Sequence, residues 1–179
     1  MMKTVFLIGY MGCGKTTLGE VLARQLDCRF IDLDEYIEQR QGMTVVQIFD
    51  EMGENRFREL ETEALREVAS MTDVIVGCGG GTPCHGDNMA LMNQAGVTVW
   101  LTTSPERITT RLLLPEQKSK RPKINTLPSN EVLPLVKKEL QSRSPFYAQA
   151  QLQFDSTDIE TGPATARTAR RLAKLLKSL

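Results

Sequence analysis

Nine residues near the start of the chain have the types and spacing to grip a phosphate chain. Gly9-Tyr10-Met11-Gly12-Cys13-Gly14-Lys15-Thr16-Thr17 fits the pattern G-x-x-x-x-G-K-[ST] at every fixed position. Glycines in such a turn let successive backbone N–H groups face phosphate oxygens, and a following helix adds the partial positive charge of its N-terminus. Lys15 is spaced to reach the β- and γ-phosphates, and the Thr16 hydroxyl to ligate Mg²⁺. Gly12, Cys13, Gly14 and Thr17 complete the expected nucleotide contacts. The competing reading is a glycine-rich turn with a surface lysine. It fits less well, because the motif follows an apolar run, Val5-Phe6-Leu7-Ile8, and precedes a segment of helical period.

Such a loop needs a scaffold, and the remaining residues alternate strand and helix patterns. Residues 3–8 suit a strand buried on both faces. Residues 16–26 carry Leu18, Val21, Leu22 and Leu26 on one helical face. A short strand over 29–32 leads into Leu33-Asp34, and Thr44-Val45-Val46-Gln47 matches a capping box opening a short helix. Phe57, Leu60, Ala64, Leu65 and Val68 make the inward stripe of the next helix. Strands follow at 73–77, ended by Gly79-Gly80-Gly81, and at 97–101. Ser104 and Pro105 suit the N-cap and first position of a helix. Residues 114–128 hold three prolines with Lys118, Lys120, Arg121 and Lys123, a composition expected of a mobile loop or lid. A helix over 131–142, a strand over 152–155 and a last helix after Gly162-Pro163, burying Leu172, Leu175, Leu176 and Leu179, complete the chain. Five strands alternating with helices predict an α/β fold, a parallel sheet covered on both faces, with ligands at the carboxyl ends of its strands.

The 179 residues predict one domain, 1–179, with its own core. Lys+Arg and Asp+Glu balance at 22 each, which argues against a general nucleic-acid binder. No stretch approaches the roughly 20 apolar residues of a membrane span. The apolar N-terminal run is broken by Gly9 and Gly12 and lacks a small-residue cleavage site, so a buried first strand is expected there rather than a signal peptide. Cys13, Cys28, Cys78 and Cys84 form no CxxC pair and suit reduced thiols. A cytoplasmic monomer is expected. The one histidine, His85, has no metal-ligand spacing around it.

Taken in order, several segments resemble the shikimate kinases, within the nucleoside-monophosphate-kinase-like group of P-loop folds. They are G-Y-M-G-C-G-K-T-T at 9–17, D-L-D at 32–34, F-R-E-L-E at 57–61, C-G-G-G at 78–81, R-P at 121–122 and S-R-S-P-F-Y at 142–147. The similarity spans nearly the whole length. It implies a three-layer fold with strand order 2-3-1-4-5, a substrate-binding segment over 33–62 and a lid over 114–128. It also implies transfer of the ATP γ-phosphoryl group to the 3-hydroxyl of shikimate, with Mg²⁺, in aromatic amino-acid biosynthesis.

Carried over residue by residue, the resemblance makes Asp34 the carboxylate that contacts the substrate hydroxyls and helps deprotonate the attacking one. The plainer alternative for Asp34 is a helix cap. Asp32 would help hold Mg²⁺ with Thr16. Arg58 would bind the shikimate carboxylate as a fork, oriented by Glu61; read alone it is a surface ion-pair arginine. Arg143 would share that carboxylate, against a simple role near a helix C-terminus. Gly79, Gly80 and Gly81 would let backbone approach the substrate, Gly80 donating an N–H, with positive φ permitted. Cys78 stands where the family often has Thr or Ser, a change that could alter a polar contact near the metal. Arg121 would close over the transferring group with Lys15, against a role as one cation of a solvated basic loop, and Arg111 would stack on adenine or serve as a surface arginine. A gluconate-kinase-like enzyme and a non-catalytic nucleotide-binding regulator remain the alternatives.

Overall fold

The computed structural model describes residues 2–118 and 121–179, with Pro122 described by its backbone alone. Ser119 and Lys120, a cation of the expected lid, lie outside the described residues. Strand β1 (Thr4–Ile8) is buried along its whole length. Successive strand side chains point to opposite faces, and β1 divides accordingly. Phe6 and Ile8 join one apolar cluster, Val5 and Leu7 another. Around it lie β2 (Arg29–Asp32), β3 (Val74–Gly77), β4 (Gly96–Thr102) and β5 (Leu152–Asp155), in the order β2-β3-β1-β4-β5. All four strand pairs are parallel, which bears out the expected fold and strand order.

Helices cover both faces. On one, α1 (Lys15–Leu26) and α9 (Gly162–Leu176) bury Leu18, Leu22, Ala169 and Leu172 against Val5, Leu7 and Phe154. Leu175 and Leu179 were expected in this core but are 45% and 72% exposed. The buried stripe of α9 runs Thr165-Thr168-Ala169-Leu172-Ala173, so Leu175 falls outside the stripe and Leu179 beyond the helix end. The other face carries α2 (Leu33–Gln41), α3 (Val45–Ala69), α4 (Asn88–Ala95), α5 (Pro105–Leu112) and α8 (Ser129–Tyr147).

Local chemistry explains most boundaries. The capping box forms: Gln47 N–H donates to Thr44 Oγ1 at 3.2 Å, and Thr44 N–H to Gln47 Oε1 at 2.8 Å. The expected two helices after it are the halves of α3, joined at Gly53, whose φ of 81° breaks the helix. Ser104 Oγ caps α5 by accepting from Arg107 N–H at 3.2 Å, ahead of Pro105. Strand β3 starts at Val74 rather than 73, since Asp73 has a φ of 55°. Helix α4 had no clear apolar period and is an addition to the expected elements. Helix α8 is longer than the expected 131–142 and runs through Pro134 and Pro145. Burial of Val132, Val136 and Tyr147 holds it despite the missing proline N–H donors. Within 114–128 lie two single turns, α6 (Pro115–Lys118) and α7 (Pro122–Asn125), with Ile124 fully buried. Ile124 thus gives the segment expected as a mobile loop or lid one buried anchor.

Candidate active site

The 9–17 loop turns through Gly9, Gly12 and Gly14, with φ of 139°, 79° and 99°. These angles are open to glycine and strained for other residues. Gly14 is the N-cap of α1, and no side chain caps that helix, so its first N–H groups are free to face an anion. Lys15 Nζ lies back across the loop, donating to the carbonyls of Gly9 at 2.8 Å and Tyr10 at 3.1 Å. Thr16 and Thr17 are exposed at its end. The Cys13 side chain is buried at 1% exposure. Its carbonyl accepts from Ser156 Oγ at 2.8 Å, tethering the loop to the segment after β5.

At the end of β2, Asp32 bridges two elements. Its Oδ2 accepts from Thr16 Oγ1 at 3.0 Å, and its Oδ1 accepts from Asp34 N–H at 3.1 Å. Asp32 is thus the N-cap of α2, and the capping role considered for Asp34 falls to Asp32 instead. Asp34 is left with a carboxyl pushed up to about 7. Burial is the main cause, the carboxylates of Asp32 and Glu61 add to it, and Lys15 opposes it.

Gly79, Gly80 and Gly81 follow β3, and none has the positive φ that their type permits. Close packing is the reason for glycine here. A Cβ on Gly79 would stand 3.0 Å from Glu61 Oε1 and 3.1 Å from Asp34 Oδ1. On Gly80 it would be 3.4 Å from Arg143 Nη1, and on Gly81 3.0 Å from Arg58 Nη1. The triplet therefore gathers Asp34, Arg143 and Arg58, which come from α2, α8 and α3. The Gly80 carbonyl is held by Tyr147 Oη, which donates to it at 2.6 Å. The Cys78 thiol faces Met92 Sδ at 3.7 Å in the core, and burial raises its pKa.

Arg58 donates to Glu61 Oε2 at 2.6 Å and to Glu54 Oε1 at 2.9 Å, with its Cζ 5.3 Å from the Phe57 ring centroid. Its Nε is, among the described residues, the one buried side-chain nitrogen or oxygen without a hydrogen-bond partner. Glu61 is 1% exposed and also accepts from Thr82 Oγ1 at 2.5 Å. Arg143 donates to Glu139 Oε2 at 3.0 Å and lies over the Tyr10 ring at 5.3 Å. Arg111 donates to the carbonyls of Gly12 at 3.1 Å, Ser156 at 3.3 Å and Thr157 at 2.7 Å, and to Glu160 at 2.8 Å. Its edges are committed to protein, so a base could meet only its face. Arg121 donates to the backbone and side-chain oxygens of Gln117, both at 2.8 Å. Its hydrogen bonds among the described residues stay within its own segment, and it is not joined to the phosphate loop. Sequence reasoning missed Thr82 and Glu139. The only signal for Glu139 was its place four residues before Arg143.

Thr16 and Asp32 put a hydroxyl and a carboxylate side by side. No group of three or more His, Cys, Asp or Glu that could hold a metal occurs among the described residues. That donor set suits Mg²⁺, which keeps several waters and takes phosphate oxygens rather than a protein cage.

A family model described as shikimate kinase matches residues 11–176. A shikimate kinase of Bacteroides thetaiotaomicron is 43% identical over 98% of this chain and 99% of its own. A crystal structure of shikimate kinase from that organism superposes with a TM-score of 0.93 at 43% identity, covering 99% of each chain. Shikimate kinase from Acinetobacter baumannii, solved in complex with shikimate, gives a TM-score of 0.84 at 30% identity over 99% of this chain and 94% of its own. A gluconokinase from Sinorhizobium meliloti, with a TM-score of 0.55 at 16% identity over 98% of this chain and 96% of its own, shares the fold alone. With matches of this identity over nearly the full length, the chain belongs to the shikimate kinase family of ATP-dependent kinases.

Proposed function

We propose that the chain transfers the γ-phosphoryl group of ATP to the 3-hydroxyl of shikimate, giving shikimate 3-phosphate and ADP. The observation that supports this most is the meeting of Asp34, Arg58 and Arg143 around Gly79–Gly81, beside a phosphate loop. One buried carboxylate for a hydroxyl and two guanidinium groups for a carboxylate suit a small cyclic hydroxy acid. Residues 33–62 form its binding segment.

In this reading Asp34 takes the hydroxyl proton. A carboxyl near 7 is matched to general-base work at neutral pH. Arg58 turns its unpartnered Nε–H and its fork to the shikimate carboxylate, with Arg143 opposite. The Gly80 peptide, steadied by Tyr147, offers its N–H. Lys15 exchanges the carbonyls of Gly9 and Tyr10 for the β- and γ-phosphates, and the N–H groups of Gly12 to Thr17 cradle them. Arg111 presents its guanidinium face to adenine. Thr16 and Asp32 hold Mg²⁺, which when bound neutralises charge on the phosphate oxygens. Residues 114–128 close as a lid that brings Arg121 to the transferring group. Closure should appear as slower amide exchange in 114–128 when nucleotide and shikimate are both present.

No described helix is long and apolar enough to cross a membrane, and we place the enzyme in the cytoplasm as a monomer. The direct test is a coupled ADP-release assay with shikimate, quinate, gluconate and AMP as acceptors. Shikimate should be strongly preferred; preference for another acceptor overturns the substrate.

A further inference from the structure

Glu139 belongs to no motif, yet three parts of the site meet at its carboxylate. Oε2 accepts from Tyr10 Oη at 2.8 Å and from Arg143 Nη2 at 3.0 Å, and Oε1 accepts from Lys123 Nζ. Tyr10 is a phosphate-loop residue at 1% exposure, Lys123 lies on α7, and Arg143 sits one turn further along α8. The Glu139 side chain is itself only 13% exposed. The Arg143–Glu139 pair, at 25% and 13% exposure, is more sheltered than the weak surface kind, whereas Lys123 is 63% exposed.

The arrangement divides the Arg143 fork. Nη2 is held by Glu139, while Nη1 is the atom nearest a Cβ built on Gly80. The Tyr10 ring lies against the same guanidinium. A free arginine side chain carries about 2 kcal/mol of rotamer entropy. A carboxylate on one nitrogen and a ring on one face remove most of that freedom before any ligand arrives, and preorganisation of this kind appears as affinity.

We propose that Glu139 is a positioning residue for substrate binding: it holds Arg143 with Nη1 presented to the substrate carboxylate, and is itself held by Tyr10 and by Lys123 of α7. The inference rests on the reading of Arg143 as a carboxylate-binding group. Glu139 acts through that arginine and does not touch the substrate. Glutamine at 139 keeps the shape but replaces one acceptor oxygen with a donor amide, so it cannot serve Lys123 on one side and Tyr10 and Arg143 on the other.

The test compares wild type and Glu139→Gln as full chains, with steady-state kinetics in both substrates and a thermal melt. The variant should raise the KM for shikimate about tenfold, as expected for a misplaced binding group. The KM for ATP should stay within about twofold and kcat within about threefold. An unchanged shikimate KM, or an equal rise in both KM values as from general loosening, overturns the proposal. A wild type inactive on shikimate would instead remove the functional reading, and this inference with it. Should Glu139→Gln fail to fold, Lys123→Met and Tyr10→Phe each remove one support of Glu139. At least one should raise the shikimate KM by about twofold or more, and by more than it raises that for ATP; neither doing so overturns the proposal.

Discussion

Arg58 Nη1 donates to Glu61 Oε2 at 2.6 Å, across one turn of α3, and the two partners differ sharply in exposure at 23% and 1%. Glu61 is locked from the other side by Thr82. A buried carboxylate with two donors is a fixed point, and it aims the arginine rather than merely neutralising it. Among the described residues the guanidinium keeps Nε–H without a hydrogen-bond partner, and its outer nitrogen meets the exposed Glu54.

Arg58→Lys should therefore raise the KM for shikimate at least about tenfold and leave that for ATP within about twofold. An ammonium cannot serve Glu61 and a ligand carboxylate with one planar fork. An unchanged shikimate KM in steady-state assays would contradict carboxylate binding at this position.

Asp34→Asn should lower kcat at least about 100-fold with little change in KM, the loss expected of a general base. Near-normal turnover would remove that role. The same change should stabilise the free protein at alkaline pH. The folded-state value of about 7 lies above the ordinary 3.8. The stability linked to this carboxyl is therefore full below about 3.8 and is lost as pH rises through 7, to a limit on the order of 4 kcal/mol. Thermal melts without ligands should show the variant gaining on wild type between pH 4 and pH 8. A constant difference across that range would mean that the Asp34 carboxyl is not raised.

In wild type, kcat/KM for shikimate should fall below about pH 7, because it reports the base in the free enzyme. The limb for kcat should lie at lower pH, since bound cations favour the ionised carboxylate. Coincident limbs would argue against Asp34 as the titrating group.

Gly81→Ala should keep the fold and lose substrate affinity. Its new Cβ would press on Nη1 and Nη2 of Arg58 at 3.0 and 3.2 Å, and the far end of a long side chain can give way. We expect a melting point lowered by no more than the equivalent of about 1 kcal/mol, with the shikimate KM raised several-fold. A large stability loss with an unchanged KM would show that the triplet serves folding alone.

Arg111→Lys should act on the nucleotide side. Arg111 joins Gly12 of the phosphate loop to Ser156, Thr157 and Glu160, and one ammonium cannot span those acceptors. The KM for ATP should rise about tenfold, with that for shikimate little changed. The opposite pattern would separate Arg111 from the nucleotide.

Much of this was legible in the residues because it is local. A phosphate loop works through backbone N–H groups and glycine torsions within nine residues, so its pattern can be read directly. The capping box at Thr44-Gln47 and the cap at Ser104 are equally short-range. The alternation of strand and helix patterns pointed to a covered parallel sheet, and the family resemblance supplied its strand order. Where local signals were weak, expectation failed in understandable ways. Asp32 and Asp34 are two residues apart, and only the helix start decides which one caps. Leu175 and Leu179 look like core by type, but Leu175 lies off the buried stripe of α9 and Leu179 beyond the helix end.

The phosphate loop, the covered parallel sheet that holds it and the family whose motifs the chain carries can all be read from the residues. Long-range packing makes Gly79–Gly81 glycines for closeness rather than for torsion, turns the Cys78 thiol into the core, and lets Glu139 gather Tyr10, Lys123 and Arg143. The reason is physical. Torsional and capping preferences act over a few residues and leave a pattern in the chain. Contacts between side chains 16 to 129 positions apart depend on how helices settle on a sheet, and no short stretch of sequence encodes that.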